Sequence, residues 1–259
     1  MITSLSNSKV KLVRSLTRRR ARYAAQQFSV EGVRIIEEAI GAGIVPALVL
    51  YAARAEQDPR ARALLERSRA ATPEVFAVGD QVMRAIASTE APQGIVAVLP
   101  FVELALPAQP QCVLILDAVR DPGNVGTLLR AARAAGVDAV WCAPGTADPY
   151  NDKVVRAAMG AHFAVPFRVA SWEMIADTLR DIPRVYLADA RGEIVYTRAD
   201  WTHPLALVVG GEAEGASEEA KRIATARVRI PMRGGAESLN AAMAATVLLF
   251  QAARTASGQ

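Results

Sequence analysis

The sequence predicts an α/β protein of two successive layered domains, a small α/β/α unit followed by a larger one built on a parallel sheet. Three observations carry this expectation. Strand-like and helix-like patterns alternate along the whole chain, a cluster of prolines interrupts them once, and 259 residues exceed what one domain commonly holds.

The front domain is read over residues 1–103. Val10, Leu12, Val13 and Leu16 give a basic helix one apolar side, and Phe28 to Val30 is a short strand. Glu31 to Ile40 reads as a helix stopped by Gly41-Ala42-Gly43. A strand at Ala47 to Tyr51, an Arg-rich helix at Pro59 to Ala70 and a strand at Val75 to Val78 follow. Gln81 to Ala87 is a helix, and Gly94 to Leu99 closes the layer as a strand. Pro100, Pro107 and Pro110 then mark a break, with residues 104–110 as the linker.

Over residues 111–259 a second alternation runs through VLILD, GNVGTLLRAARAAG, DAVWCA, NDKVVRAAMG, PFRV and WEMIADTL. It continues with RVYLADA, LALVVGG, EEAKRIA and VRIP, and ends in ESLNAAMAATVLLFQAAR. Apolar strands separated by helices argue for a mainly parallel sheet covered on both faces. Ligands of such sheets gather at the carboxyl ends of the strands. The longest apolar run, Ala241 to Phe250, is too short to cross a bilayer and reads as a buried helix, so no membrane partner is expected.

With 52% hydrophobic and 22% charged residues the composition is that of an ordinary globular protein. Cys112 and Cys142 each sit in an apolar strand-like run without metal-ligand spacing. They read as reduced core residues, which fits a cytoplasmic setting and no metal. The net charge of +4 is unevenly placed: residues 1–100 hold 14 Lys/Arg against 9 Asp/Glu, residues 101–259 hold 16 against 17. Lys9, Lys11, Arg14, Arg18, Arg19, Arg20 and Arg22 crowd a segment with no acid, a pattern that attracts a phosphate backbone without reading its sequence. The bland alternative is a solvated helix face. A transit segment would share this composition, but here it runs directly into the strand at Phe28.

Polar, glycine-rich residues follow three strands of the second half. After VLILD, Asp121-Pro122-Gly123 turns the chain and Asn124 opens a helix carrying Arg130 about two turns on, a helix start suited to an anion or a ribose. After LALVV comes Gly210-Gly211-Glu212-Ala213-Glu214-Gly215, where backbone can approach a ligand closely. After VRI, Pro231 to Asn240 lead into the apolar C-terminal helix, and Glu237 and Ser238 could simply start it. Each stretch taken alone could be no more than a capped turn. A dinucleotide fingerprint is missing, since Gly41 and Gly43 end a helix, and so is a phosphate-loop lysine. His162 and His203 lie far apart without a nucleophile elbow, so a hydrolase triad has no support. His162 reads as a structural histidine, His203 as a surface one, and Trp141, Trp172 and Trp201 as packing residues.

Taken together, LDAVRDPGNVGTLLRAARAAG, LALVVGGEAEGAS and IPMRGGAESLNAAMAATVLLFQA resemble, in order and spacing, the three signature motifs of the SpoU/TrmH family of SPOUT methyltransferases. DPYNDKVVRAAMGAHFAVPF resembles a further segment of that family, and SLSNSKVKLVRSLTRRRARYAAQQFSVEGVRIIEEA with APQGIVAV resembles its ribosomal-protein-like substrate-binding domain. Ala213 stands where family members usually have Gly, and Ala241-Ala242 where they often have Val-Ser, which bears on the pocket's fine shape. The resemblance implies a knotted α/β catalytic domain, a homodimer, and S-adenosylmethionine as cofactor. It implies cofactor contacts from Gly210, Gly211, Ile230, Met232 and Leu239, and a reaction centre of Asn124, Arg130, Glu212, Ser238 and Asn240.

The implied reaction is 2′-O-methylation of a ribose in RNA, foremost large-subunit ribosomal RNA. A sulfonium donor is already reactive, so the protein's part is position and charge, and no metal is required. A guanidinium is a poor base, so Arg130 is read as holding the target phosphate or ribose, with Asn240 and Ser238 orienting it and Glu212 fixing its loop. The rival readings are a non-catalytic RNA-binding protein, a tRNA methyltransferase, and a nucleotide-dependent oxidoreductase disfavoured by the missing fingerprint.

Overall fold

Asn7 starts the first helix, α1 (Ser8–Ser15), by accepting the Lys9 amide at 2.9 Å, a side-chain cap for an otherwise orphaned donor. Val10 and Val13 of α1, with Leu16 at its end, are buried against Leu48, Leu50, Val82, Met83, Val96 and Val98. The basic segment does not continue as one helix. It breaks after Leu16 and resumes as α2 (Arg19–Ala25), whose Arg22 turns inward and donates to Leu16 O at 2.8 Å and Thr17 O at 2.9 Å. The side chain thus serves carbonyls that the end of α1 leaves without helical partners.

The computed structural model describes residues 1–89, 92–211, 215–234 and 238–256. The chain divides into two units, Met1–Val102 with Tyr150–Arg156, and Glu103–Pro149 with Ala157–Gln259. In the first, a four-stranded sheet has the order β1 (Gln27–Glu31), β4 (Ile95–Pro100), β2 (Leu48–Ala52), β3 (Val75–Val78). Strand β4 is antiparallel to both β1 and β2, and β3 is parallel to β2. Helix α3 (Val33–Gly41) begins later than its apolar pattern suggests, because Glu31 stays in β1. The Glu31 carboxylate accepts from Ser88 N at 2.7 Å and Thr89 Oγ1 at 2.6 Å, and Gly32 takes a φ of 108° that a side chain would oppose. Asp58 caps α4 (Pro59–Ala71) through the Ala61 amide at 2.8 Å, with Pro59 in the first turn, and α5 (Asp80–Ile86) completes the layer. Tyr150 belongs to this unit: its ring stacks on Phe101 at 3.8 Å and its hydroxyl accepts from Val102 N at 3.0 Å.

The second unit is a seven-stranded, wholly parallel sheet. Its order is β7 (Phe167–Val169), β6 (Ala139–Cys142), β5 (Cys112–Asp117), β10 (Leu205–Gly210), β8 (Arg184–Ala188), β11 (Ala226–Arg229), β9 (Ile194–Val195). Helices α6 (Pro122–Ala135), α8 (Trp172–Thr178), α9 (Glu218–Ile223) and α10 (Ala241–Ala256) connect or follow these strands, while α7 (Asp152–Ala158), between β6 and β7 in sequence, belongs to the first unit up to Arg156. From β5 the chain steps outward through β6 to β7, then returns beyond β10 to β8, so the order reverses between β5 and β10. Such a reversal opens a crevice at the carboxyl ends of the two strands, here at Asp117 and Gly210, which are paired in register.

Helix α10 corrects one expectation. Ala242, Ala245, Leu248, Leu249 and Ala252 are buried, but Met243, Val247 and Phe250 are 62%, 38% and 50% exposed. Small and branched residues face α6 and β10, and the bulky ones form a stripe at i, i+4, i+7 that this chain leaves open. The helix is half-buried, not buried. Cys112 and Cys142 are buried free thiols, each pushed up to about 12 by burial. Among the described residues no helix is long and apolar enough to cross a membrane.

Candidate active site

The crevice is built from strand ends inward. Strand β5 finishes on Asp117, a carboxylate 1% exposed, whose Oδ2 accepts from Ser217 N at 2.6 Å. That bond fastens the segment after β10 to the end of β5. Ala118 follows with a φ of +51°, in the left-handed region, and its carbonyl oxygen would lie 2.5 Å from a Cβ at Gly211. A Cβ at Gly210 would meet Ala216 N at 2.8 Å. Both glycines are therefore required by backbone pressed on backbone, a closer constraint than room for a ligand.

Asp121 caps α6 by accepting from Asn124 N at 2.8 Å, and Pro122 occupies the first turn. This aims the start of α6, carrying Asn124, at the carboxyl end of the sheet. Asn240 stands just before α10 and does two things with one amide. Its Oδ1 accepts from Ala242 N at 2.9 Å and Met243 N at 3.3 Å, capping the helix, while its Nδ2 donates to Asn124 Oδ1 at 3.1 Å. The first and third polar stretches of the sequence, 116 positions apart, are thereby joined. Asn240 thus reaches both Asn124 and its own helix cap.

Arg130 is exposed on α6, two turns beyond Asn124. Ser238 is exposed beside Asn240, and Leu239 between them is 38% exposed. Ile230 and Met232 are half-buried and leave β11 at the same end of the parallel sheet as Asp117 and Gly210. Glu212 lies outside the described residues. Asp117 was not singled out from sequence; its signal was an acid closing an otherwise apolar strand, VLILD. His162 is fully buried, with Nε2 2.7 Å from Pro149 O, and burial pushes its pKa down to about 4. It is a neutral structural residue. Among the described residues no cluster of His, Cys, Asp or Glu is placed to hold a metal ion.

In the first unit, the cations of residues 9–22 divide. Lys9 is paired with Glu74 and lies 4.6 Å from the Phe76 ring centroid, and Arg19 lies over Tyr23 at 5.2 Å. Arg22 is 3% exposed and bonded to backbone, so its guanidinium is withdrawn from the cationic face expected of it. Lys11, Arg14, Arg18 and Arg20 are exposed.

A parallel sheet with a reversal at two glycine- and acid-bearing strand ends, capped by two helix starts joined through paired asparagines, defines an α/β enzyme-like crevice of the nucleotide-binding kind. The particular family follows from comparison with known proteins. Residues 111–250 match the family model described as SpoU rRNA Methylase family, and residues 7–97 match the MRM3-like substrate binding domain. The chain belongs to the SpoU rRNA methylase family. The 23S rRNA (guanosine(2553)-2′-O)-methyltransferase RlmP of Bacillus subtilis is 34% identical, over 96% of this chain and 97% of that protein. The 23S rRNA (uridine(2479)-2′-O)-methyltransferase of Streptomyces viridochromogenes is 34% identical, over 92% and 86%. Among solved structures, the AdoMet-bound rRNA methyltransferase from Sinorhizobium meliloti superposes with a TM-score of 0.87 at 32% identity, covering 98% of this chain and 97% of that one.

Proposed function

We propose that this chain transfers a methyl group from S-adenosylmethionine to a ribose 2′-hydroxyl of large-subunit ribosomal RNA. The observation that carries the proposal is the Asn240–Asn124 bond, which brings the first and third motifs together at the carboxyl ends of the sheet. Relatives matched over nearly the full length of the chain bear names of 23S rRNA 2′-O-methyltransferases, and similar structures hold AdoMet.

The residues at the crevice fit that cofactor. Exposed Leu239 and half-buried Ile230 and Met232 offer apolar edges to a flat base, and backbone at Gly210 and Gly211 is free of side chains. Bound there, S-adenosylmethionine supplies an electrophilic methyl on a sulfonium. Arg130, with its planar fork of donors, holds the phosphate or ribose of the target nucleotide, and Asn124 sets the start of the helix that carries it. Ser238 and Glu212 complete the reaction centre. The open stripe of Met243, Val247 and Phe250 supports a homodimer formed through α10, and by the family resemblance such a dimer brings one chain's Arg130 to its partner's cofactor. Exposed Lys11, Arg14, Arg18 and Arg20, with Lys9 and Arg19, form the RNA-facing side of the first unit in a cytoplasmic enzyme.

The test is incubation of the purified chain with methyl-labelled S-adenosylmethionine and unmodified large-subunit ribosomal RNA. Label is expected at one nucleotide, whose adjoining phosphodiester becomes resistant to alkali. Label on a base, on transfer RNA alone, or nowhere despite bound cofactor overturns the reading.

A further inference from the structure

The cations of the first unit are not equally available. Arg60 is paired with Glu37, Arg69 with Glu56 and Arg54 with Asp80. Lys11, Arg14 and Arg18, by contrast, have no acidic partner among the described residues, and all three border one hollow of about 470 Å³. Lys11 and Arg14, at i and i+3, are neighbours on the surface of α1, and Arg18 joins them from the extended residue that precedes α2. The remaining lining is Ser15 and Thr17 on one flank and Ala85, Ile86 and Ala87, at the end of α5, on the other.

The chemistry of the lining is mixed in a particular way. The Ser15 hydroxyl donates to Leu12 O at 2.7 Å and the Thr17 hydroxyl to Arg14 O at 2.9 Å, so their protons are committed and their lone pairs remain as acceptors. Ala85 and Ile86, in the last turn of α5, border the hollow, and carbonyls at a helix end have no later helical amide to accept from. An inorganic anion would use the three cations and leave these acceptors idle. A ribonucleotide uses both: its phosphate meets the cations and its 2′-hydroxyl or base amine donates to the acceptors. The volume lies within the ~300–1,000 Å³ usual for small-ligand clefts.

We propose that this hollow is an RNA-gripping site, taking one nucleotide of the substrate with its phosphate on Lys11, Arg14 and Arg18. The site rests on the reading of the chain as an enzyme acting on RNA, and lies in the first unit, whereas the reaction centre lies in the second. It adds a holding point that the three catalytic motifs do not contain.

The experiment uses the full chain and measures anisotropy of a short labelled single-stranded RNA, and of the DNA of the same sequence, across a salt series. Arg14→Ala/Arg18→Ala should weaken RNA binding by about tenfold and flatten the logarithmic salt slope by about 1.4, as expected for two lost phosphate contacts on a single strand. Ala85→Trp fills the hollow from an exposed position without changing charge. It should weaken RNA binding about fivefold with the slope of the unaltered chain, and DNA binding less. Arg62→Ala/Arg67→Ala, removing the same charge from α4, should change affinity less than twofold. Unchanged RNA affinity in Ala85→Trp, with thermal unfolding confirming the fold, overturns the hollow. So does an equal loss in the α4 double variant, which would mean diffuse attraction to the whole unit. Methyl transfer by the unaltered chain and by the Arg62→Ala/Arg67→Ala variant at saturating RNA separates failure of the hollow from failure of the proposed function.

Discussion

The two units handle polar groups in opposite ways. In the first, charge is displayed: Arg60, Arg69 and Arg54 are neutralised by acids, while Lys11, Arg14 and Arg18 stand around an open hollow. In the second, polar groups near the crevice are consumed by the frame itself. Asp117 fastens Ser217, Asp121 caps α6, and Asn240 serves its own helix and Asn124 at once. Displayed charges act through a screened field and their losses should be graded and salt-dependent. Groups locked into a frame have fixed geometry, and their loss should act abruptly on chemistry or cofactor.

Arg130 is where that contrast is most easily broken, because it is exposed like the front cations yet sits on the frame helix α6. Arg130→Ala should lower methyl transfer by about three orders of magnitude or more at saturating RNA, with cofactor affinity unchanged. Arg130→Lys should rescue little, since a point charge does not replace a planar fork. Mixing Arg130→Ala chains with Leu239→Arg chains should restore some activity if two chains share each site. A graded, salt-sensitive loss that Lys repairs would place Arg130 with the displayed charges of the first unit.

Gly211 tests the frame directly. A Cβ there would lie 2.5 Å from the Ala118 carbonyl, backbone that has no flexible end to yield. Gly211→Ala should therefore displace the segment after β10 from β5 and weaken S-adenosylmethionine binding about a hundredfold in calorimetry, while anisotropy of bound RNA moves less than twofold. Cofactor binding that survives this substitution would show that the crevice adjusts, and the contrast between units would soften.

The element order, the parallel sheet and the three polar stretches were legible because apolar runs and glycine-rich turns leave strong local marks. What hydropathy could not show was where one side chain reaches across the fold. Arg22 looks like its basic neighbours in sequence, and only the break after Leu16 sends it inward to two carbonyls. Asn240 was assigned to the reaction centre from its motif, but its bond to Asn124 spans residues that no local pattern connects. Ala241 to Phe250 is apolar on nearly every side, so the pattern carries no information on which face α6 covers and which is left open. The knotted path that the family resemblance implies is likewise outside the reach of periodicity, which describes elements and not the path between them.

The smallest expected effect concerns acid, and it falls on one unit only. The chain has two histidines, His162 and His203, both in the second unit. His162 is held neutral by burial at a pKa of about 4 against an ordinary 6.5, so between those values the unfolded chain binds more protons than the folded one. Stability from this group is fully present above pH 6.5, declines as pH falls, and levels off below 4. By pH 5 the loss should be about 2 kcal/mol. Hydrogen exchange should show it as weakened protection of amides around His162 and β7 with the strands of the first unit unaffected, and His162→Asn should flatten the dependence. Equal acid loosening of both units, or a pH profile unchanged by that substitution, would locate the titration elsewhere than at His162.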